Sequence, residues 1–257
     1  MSWNPALYRR FEDERTRPAQ DLLARVPLEC ASHVVDLGCG PGNSTELLLE
    51  RFAGARVVGT DTSEPMLESA RRRLPKCEFE QSDVSSWRPR TLADLIFANA
   101  VLQWVPAHEL LFPRLFSALS PGGVLAVQMP DNLNEPSHRL MREQAKTGPW
   151  ASLLADAARA RPQIPPAETY YDWLAADASS IDIWRTTYQH PMASSADIVD
   201  WVRATGLRPF IDPLSEKQRT AFLAEYEQRI TEAYPARADG KRLLAFPRLF
   251  IVARRKD

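Results

Sequence analysis

The sequence predicts an α/β fold: a mostly parallel sheet covered by helices on both faces, with a smaller helical cap. Three observations carry this reading. Short apolar runs recur between residues 33 and 129, separated by segments of helical periodicity, the alternation that builds strand–helix–strand units. The runs are apolar throughout rather than alternating with polar residues, as strands buried on both faces are. A glycine cluster directly follows the first run, where a strand would turn into a helix.

Residues 15–27 read as a helix, with Pro18 tolerated in the opening turn and Leu22, Leu23 and Val26 on one face. Residues 33–37 form the first strand, and Asn43 then caps a helix carrying Leu47, Leu48, Leu49 and Phe52. A second strand, from Ala55, ends at Asp61. Ser63 begins the next helix, with Pro65 in its first turn and Met66, Leu67 and Ala70 inward. A brief strand covers residues 77–80, and a fourth, from Ala93, ends at Asn99. Val105-Pro106 opens a helical stretch that Pro113 should kink or divide. Ser120-Pro-Gly-Gly reads as a turn before a fifth strand at 124–129.

After Pro130 the alternation stops. Residues 134–178 carry helical stretches broken by Gly148-Pro149 and by the prolines from 162 to 166, and read as the cap. Alternation resumes with a strand at 181–188, a helix near 195–204, a longer helix at 215–234 bearing Phe222, Tyr226, Ile230 and Ala233, and a closing strand at 243–253. These two late strands bring the sheet to seven. The expected organisation is a core at 1–130 with an N-terminal substrate-side segment, a cap at 131–178, and the rest of the core at 179–257.

Bulk properties narrow the function. With 32 basic and 33 acidic residues among 257, the net charge is −1, which gives no global attraction to nucleic acid or an anionic membrane. Three cysteines without a C-x-x-C pair suit reduced thiols in the cytoplasm. No run reaches membrane-spanning length, and the N-terminus lacks the apolar core of a signal peptide. No obligate protein partner is implied. Arginine supplies 27 of the 32 basic residues. Its planar fork suits carboxylates, although genomic base composition accounts for such a bias equally well.

The strongest local signal is Asp36-Leu-Gly-Cys-Gly-Pro-Gly42. Gly38, Gly40 and Gly42 permit positive φ and close approach of a ligand to the backbone, and the helix start adds unpaired N–H groups. The dinucleotide fingerprint G-x-G-x-x-G is not met, because the third glycine comes one residue early. Asp61, nineteen residues past Gly42, stands where an acid can accept both hydroxyls of a ribose. Asp83 follows the third strand, where a carboxylate can accept from an adenine amino group. Asn99 and Ala100 end the fourth strand. All lie after successive strands, at the sheet edge where open α/β folds bind ligands.

These residues resemble the class I S-adenosylmethionine-dependent methyltransferases over roughly residues 30–130. The similarity implies a Rossmann-like seven-stranded sheet, S-adenosylmethionine as cofactor with S-adenosylhomocysteine as product, and transfer of a methyl group. Its implied cofactor contacts are the positions above together with Cys39, Thr62, Met66 and Val84. A narrower similarity is to the branch of that family that methylates trans-aconitate. It rests on residues 3–18, on Leu102-Gln-Trp-Val, on residues 129–138 and on residues 246–253, and implies a monomethyl ester of that acid. A carboxylate acceptor is already ionised at neutral pH, so no general base is expected. A tri-anion still demands cations and donors. The candidates are Tyr8, Arg10, Gln103, Trp104, His138, Arg139, Arg142 and Arg248. Trp104 fits a core position as well, and His138 a helix cap. Arg139 and Arg142, one turn apart, also fit a solvated helix face. Arg248, inside an apolar strand, needs a partner. Cys30, His33 and Cys39 match no closed zinc spacing, and no metal is expected.

Overall fold

The structure is a computed structural model that describes residues 12–157, 161–203 and 205–257. Its seven strands are β1 (His33–Leu37), β2 (Arg56–Asp61), β3 (Glu78–Gln81), β4 (Ala93–Asn99), β5 (Leu119–Pro130), β6 (Ala178–Met192) and β7 (Arg242–Arg255). They form one sheet in the order β3-β2-β1-β4-β5-β7-β6. The pairings β1–β2, β2–β3, β1–β4 and β4–β5 are parallel. The order reverses between β1 and β4, which makes their carboxyl ends the switch point at which such sheets take ligands.

The described helices are α1 (Glu12–Leu23), α2 (Asn43–Arg51), α3 (Glu64–Arg73), α4 (His108–Ser117), α5 (Pro136–Ala145), α6 (Ala167–Leu174), α7 (Ser195–Arg203), α8 (Arg208–Ile211) and α9 (Glu216–Ala233). None is long and apolar enough to cross a membrane.

Every expected strand is present, and four local expectations change. The first helix spans Glu12–Leu23, so Pro18 lies in its interior rather than in its opening turn. Asn43 is the first helical residue of α2 rather than its cap. Gly42 takes the cap position in a left-handed conformation, φ 94°, which a side-chain-bearing residue adopts poorly. Pro113 lies inside α4 without dividing it. The carbonyl it leaves unserved is that of Glu109, at an exposed position where solvent is available, while Leu111, Phe112, Leu115 and Phe116 anchor the opposite face. The expected turn at 120–123 is drawn into β5 through a register shift between the pairs Ala93–Leu119 and Leu95–Val124. A Cβ on Gly123 would lie 2.8 Å from the Ser120 carbonyl oxygen, so the irregularity requires glycine.

The chain divides into two compact units. The sheet unit comprises residues 15–130, 164–186 and 249–257. Its core joins Val35, Leu37, Ile96, Phe112, Val127 and Ile251 with Tyr170 of α6. The second unit comprises, among the described residues, 12–14, 131–157, 161–163, 187–203 and 205–248, and its core joins Leu140, Trp150, Trp201, Phe222, Tyr226 and Phe246. A capping box between Ser215 and Gln218 starts α9.

This division differs from the expected cap at 131–178. Residues 164–186 belong with the sheet, and α7, α8 and α9 belong with the cap segment. The physical cause is visible at Tyr170. Its ring packs 4.6 Å from that of Phe112, and its hydroxyl lies 2.7 Å from His108 Nδ1. The other ring nitrogen of His108 faces the Leu102 carbonyl at 2.9 Å, so Nε2 carries the proton and Nδ1 accepts from tyrosine.

Candidate active site

Asp36 ends the apolar run of β1 with its side chain fully buried. Its Oδ2 accepts hydrogen bonds from Ser44 Oγ and Thr45 Oγ1, both at 2.7 Å, and so ties the strand to the first turn of α2 across the glycine loop. Its Oδ1 is buried with no hydrogen-bond partner. Burial pushes the carboxyl up to about 7, against the hydroxyls of Thr45 and Ser44, which hold it down, and with the Asp61 charge, which adds to the rise.

The three glycines serve different needs. Gly38 has φ 69°, and a Cβ there would meet Val101 Cγ2 at 2.3 Å; its requirement is packing. Gly40 has φ 54° with nothing within 4 Å of a built Cβ, which leaves the backbone open to a ligand. Gly40 N–H donates to Asp61 Oδ2 at 3.0 Å, and Ser63 N–H donates to Asp61 Oδ1 at 2.9 Å. Each carboxylate oxygen of the half-buried Asp61 therefore carries one backbone bond and keeps acceptor capacity.

Cys39 is corrected as a ligand contact through its side chain. The thiol is buried, and a Cβ on Gly59 would lie 3.0 Å from it. Burial drives its pKa far above the ordinary range. Its N–H donates to the Thr60 carbonyl and its own carbonyl accepts from Gly42 N–H, so the residue holds the loop's shape.

At the end of β4, Ala100 is left-handed at φ 57°, a conformation unusual for alanine, with its N–H bonded to the Gln128 carbonyl of β5 at 2.9 Å. Gln103 lies in the single 3-10 turn Leu102–Trp104, and its Nε2 donates to the Ala100 carbonyl at 2.7 Å. Asn99 Oδ1 and Gln103 Oε1 are buried without hydrogen-bond partners. Together with Asp36 Oδ1, the end of β1, the end of β4 and the 3-10 turn after it thus present three unserved acceptors. An unsatisfied buried acceptor costs about 1–3 kcal/mol, and a cationic, donor-bearing ligand would relieve all three. The ammonium and ribose hydroxyls of S-adenosylmethionine have that chemistry, with Asp61 as the second carboxylate. The residues fit the cofactor.

The outer positions are placed as follows. Asp83 is exposed after β3; its Oδ1 accepts from Ser85 N–H at 2.7 Å, and the side-chain and backbone bonds of Ser85 hold its carboxyl low. Thr62 is exposed and Met66 half-buried on α3. Val84 packs in the core of the sheet unit, so its side chain is structural. Trp104 is 41% exposed, which overturns the core reading. Tyr8 and Arg10 lie outside the described residues.

In the second unit, His138 on α5 is buried, with Nδ1 3.1 Å from Ser137 Oγ and Nε2 3.4 Å from Asn132 Nδ2. Burial, then Arg161 and Arg142, push its pKa down to about 3. The helix cap is Glu135, not His138. Arg139 pairs with Glu143 at 2.8 Å, both half in solvent, the solvated-face alternative. Arg248 is buried in β7, with its guanidinium carbon 4.8 Å from the Phe246 ring centre and 5.9 Å from that of Tyr188, so aromatic faces receive its charge. Sequence reasoning missed Arg161 and Asn132, whose side chains meet at 2.8 Å. Arg161 precedes a proline-rich loop with no periodicity to mark it.

One expected result concerns Asp36. Its folded pKa lies above the unfolded one, so its contribution to stability is fully present below about 3.8 and is lost as pH rises through about 7. A cation seated beside Oδ1 lowers that pKa. Calorimetric titration with S-adenosylhomocysteine near pH 6.5, in buffers of different ionisation enthalpy, should therefore report proton release that Asp36→Asn abolishes. Heats independent of buffer in the parent protein would take Asp36 out of contact with the ligand.

Comparison with known proteins agrees with this geometry. A family profile described as a methyltransferase domain matches residues 34–123. Trans-aconitate 2-methyltransferase of Paracidovorax citrulli is 67% identical over 255 residues, covering 98% of each chain. Among solved structures, the YcgJ protein of Bacillus subtilis superposes with a TM-score of 0.60 at 14% identity, over 94% of this chain and 99% of its own. A phosphoethanolamine N-methyltransferase of Haemonchus contortus, solved with S-adenosylhomocysteine, gives 0.56 at 17% identity, over 94% of this chain and 53% of its own. With open backbone at Gly40, the Asp61 carboxylate beside it and a relative matched along nearly its whole length, the chain belongs to the trans-aconitate 2-methyltransferase family of S-adenosylmethionine-dependent methyltransferases.

Proposed function

We propose that the chain transfers a methyl group to a carboxylate oxygen of trans-aconitate, giving a monomethyl ester. The relative's 67% identity over 98% of both chains supports that acceptor. The observation that carries the chemical class is that His138, the histidine among the described candidates, is no usable base. His138 is held neutral with a pKa near 3, too weak to deprotonate a phenol or amine at neutral pH. A carboxylate acceptor needs no deprotonation.

When bound, S-adenosylmethionine supplies an electrophilic methyl on a sulfonium. The residues of this chain hold and orient. Asp61 accepts from the ribose hydroxyls, Asp83 from the adenine amino group, and Asp36, Asn99 and Gln103 serve the methionine end. Gln103, Trp104, His138 and Arg248 are the described candidates for the acid. Fixing the carboxylate oxygen in line with the methyl carbon is the main contribution, since orientation is worth up to ~7–11 kcal/mol. The three cysteines are free thiols, which suits work in the reducing cytoplasm.

The test is incubation with labelled cofactor and a panel of polycarboxylic acids. Alkali-labile label formed chiefly from trans-aconitate is expected, with kcat flat between pH 6 and 9. Preference for another acid would reassign the substrate. Alkali-stable product, or a rate rising tenfold per pH unit through neutrality, would point to a nitrogen or phenol acceptor and a general base.

A further inference from the structure

Two alanines with left-handed backbone, Ala100 at φ 57° and Ala107 at φ 56°, bracket the turn Leu102–Trp104. Among the described residues no other non-glycine residue has a positive φ. A side chain makes that conformation costly, and strain of this kind persists only where surrounding bonds hold it, commonly beside a ligand. A three-residue 3-10 turn has poor hydrogen-bond geometry of its own. Here its bonds are Trp104 N–H to the Val101 carbonyl at 3.1 Å and Val105 N–H to the Leu102 carbonyl at 2.9 Å. The turn is held from outside as well.

The holder is His108, the first residue of α4, which follows the left-handed Ala107. His108 Nε2 donates to the Leu102 carbonyl at 2.9 Å, and Nδ1 accepts from Tyr170 Oη at 2.7 Å. The Leu102 carbonyl thus takes two donors, which fills both its lone pairs. The imidazole is buried, with its ring 5.3 Å from that of Phe112 and 5.8 Å from that of Tyr170. Burial lowers its pKa, against the carbonyls of Leu102 and Val105, which raise it. A neutral ring is what lets Nδ1 accept from the tyrosine.

The same turn carries the buried Gln103. Its Nε2 donates to the Ala100 carbonyl at 2.7 Å, which leaves Oε1 as the acceptor without a hydrogen-bond partner. Ala100 N–H is held by the Gln128 carbonyl of β5 at 2.9 Å. Val101, just before the turn, stands where a Cβ on Gly38 would meet its Cγ2 at 2.3 Å, so the turn packs on the glycine loop. All of these residues belong to the sheet unit.

We propose that His108 is a positioning residue for the methionine end of the cofactor: braced by Tyr170, it fixes the 3-10 turn, and the turn sets Gln103 so that its Oε1 accepts from the ammonium group. This rests on the reading above that Asp36, Asn99 and Gln103 serve that end of S-adenosylmethionine. His108 acts only through the turn. The nucleoside end belongs to Asp61 and Asp83, so the loss of His108 is felt by ligands that carry the amino-acid tail.

Calorimetric titration with two ligands separates this role from a structural one. S-adenosylhomocysteine has the tail, and methylthioadenosine has the same nucleoside and a thioether without it. His108→Phe keeps an aromatic ring beside Phe112 and Tyr170. It should weaken S-adenosylhomocysteine by about tenfold or more, the scale of one hydrogen bond to a charged group, and methylthioadenosine by less than about twofold. His108→Gln, whose amide can still donate to the Leu102 carbonyl, should recover part of the loss. Tyr170→Phe should show a smaller loss confined to S-adenosylhomocysteine. In a Gln103→Leu background His108→Phe should add almost nothing, because the acceptor that it places is gone.

Equal losses on both ligands mark a structural defect and overturn the proposal. So does a loss in the Gln103→Leu background as large as in the parent. Where His108→Phe does not fold, an unchanged preference between the ligands in Tyr170→Phe overturns it too. If the parent binds the two ligands equally tightly, the methionine-end reading fails and the proposal with it. If Gln103→Leu loses the parent's preference for S-adenosylhomocysteine while His108→Phe keeps it, that reading stands and the positioning role falls.

Discussion

Asp61→Ala is expected to weaken S-adenosylhomocysteine binding by roughly 100-fold, about 2.8 kcal/mol, measured by calorimetry at fixed pH. Two effects add. The ribose hydroxyls lose a charged acceptor, and hydrogen bonds to charged groups are worth about 1.5–3 kcal/mol each. The loop loses its tether as well, because Gly40 N–H and Ser63 N–H both end on this carboxylate. Asp61→Asn separates the two, since its amide oxygen can still accept from one backbone donor; an intermediate loss is expected. An alanine variant that binds as tightly as the parent would put the ribose elsewhere.

The second large effect is on Gly38. Gly38→Ala places a methyl 2.3 Å from Val101 Cγ2 and 2.5 Å from its Cβ, at φ 69°. The left-handed conformation costs about 1–2 kcal/mol for an L-residue, and overpacking typically adds 1–3 kcal/mol. A loss of about 3–5 kcal/mol in unfolding free energy is expected by chemical denaturation, together with loss of cofactor affinity as the loop shifts. In the double variant with Val101→Ala the clash is relieved while the backbone cost stays, so part of the loss should return. Full additivity of the two substitutions would show that Val101 is not what keeps position 38 a glycine.

These two residues also mark what the sequence made legible. The position of Asp61 at the end of β2 could be read directly, because the strands themselves announce their ends; its bonds to Gly40 N–H and Ser63 N–H could not. All seven strands could be found for the same reason: a parallel sheet buried on both faces leaves continuous apolar runs. The reason for Gly38 could not be read, since Val101 is sixty-three residues away in the chain and meets it only across β1 and β4. The allegiance of α6 was hidden likewise. Helical periodicity says that one face is buried, but not that Tyr170 packs on Phe112. Arg161 had no periodic signal at all. Its hydrogen bond is to Asn132, a neighbour that only the fold supplies. For Trp104 the sequence left a core position open beside the candidate role, and its 41% exposure removes the core alternative.

The strand order has a bearing on biosynthesis. β5 is complete once residue 130 has been made, but its outer neighbour in the sheet is β7, at residues 242–255. Until β7 has been made, a nascent chain carries β5, almost wholly apolar in its second half, as an open edge. Such an edge is a template for pairing with other chains. Nonsense mutations between β5 and β7 leave the cofactor loops encoded but that edge bare. Truncated products should therefore aggregate and be degraded rather than persist as weakly active enzyme.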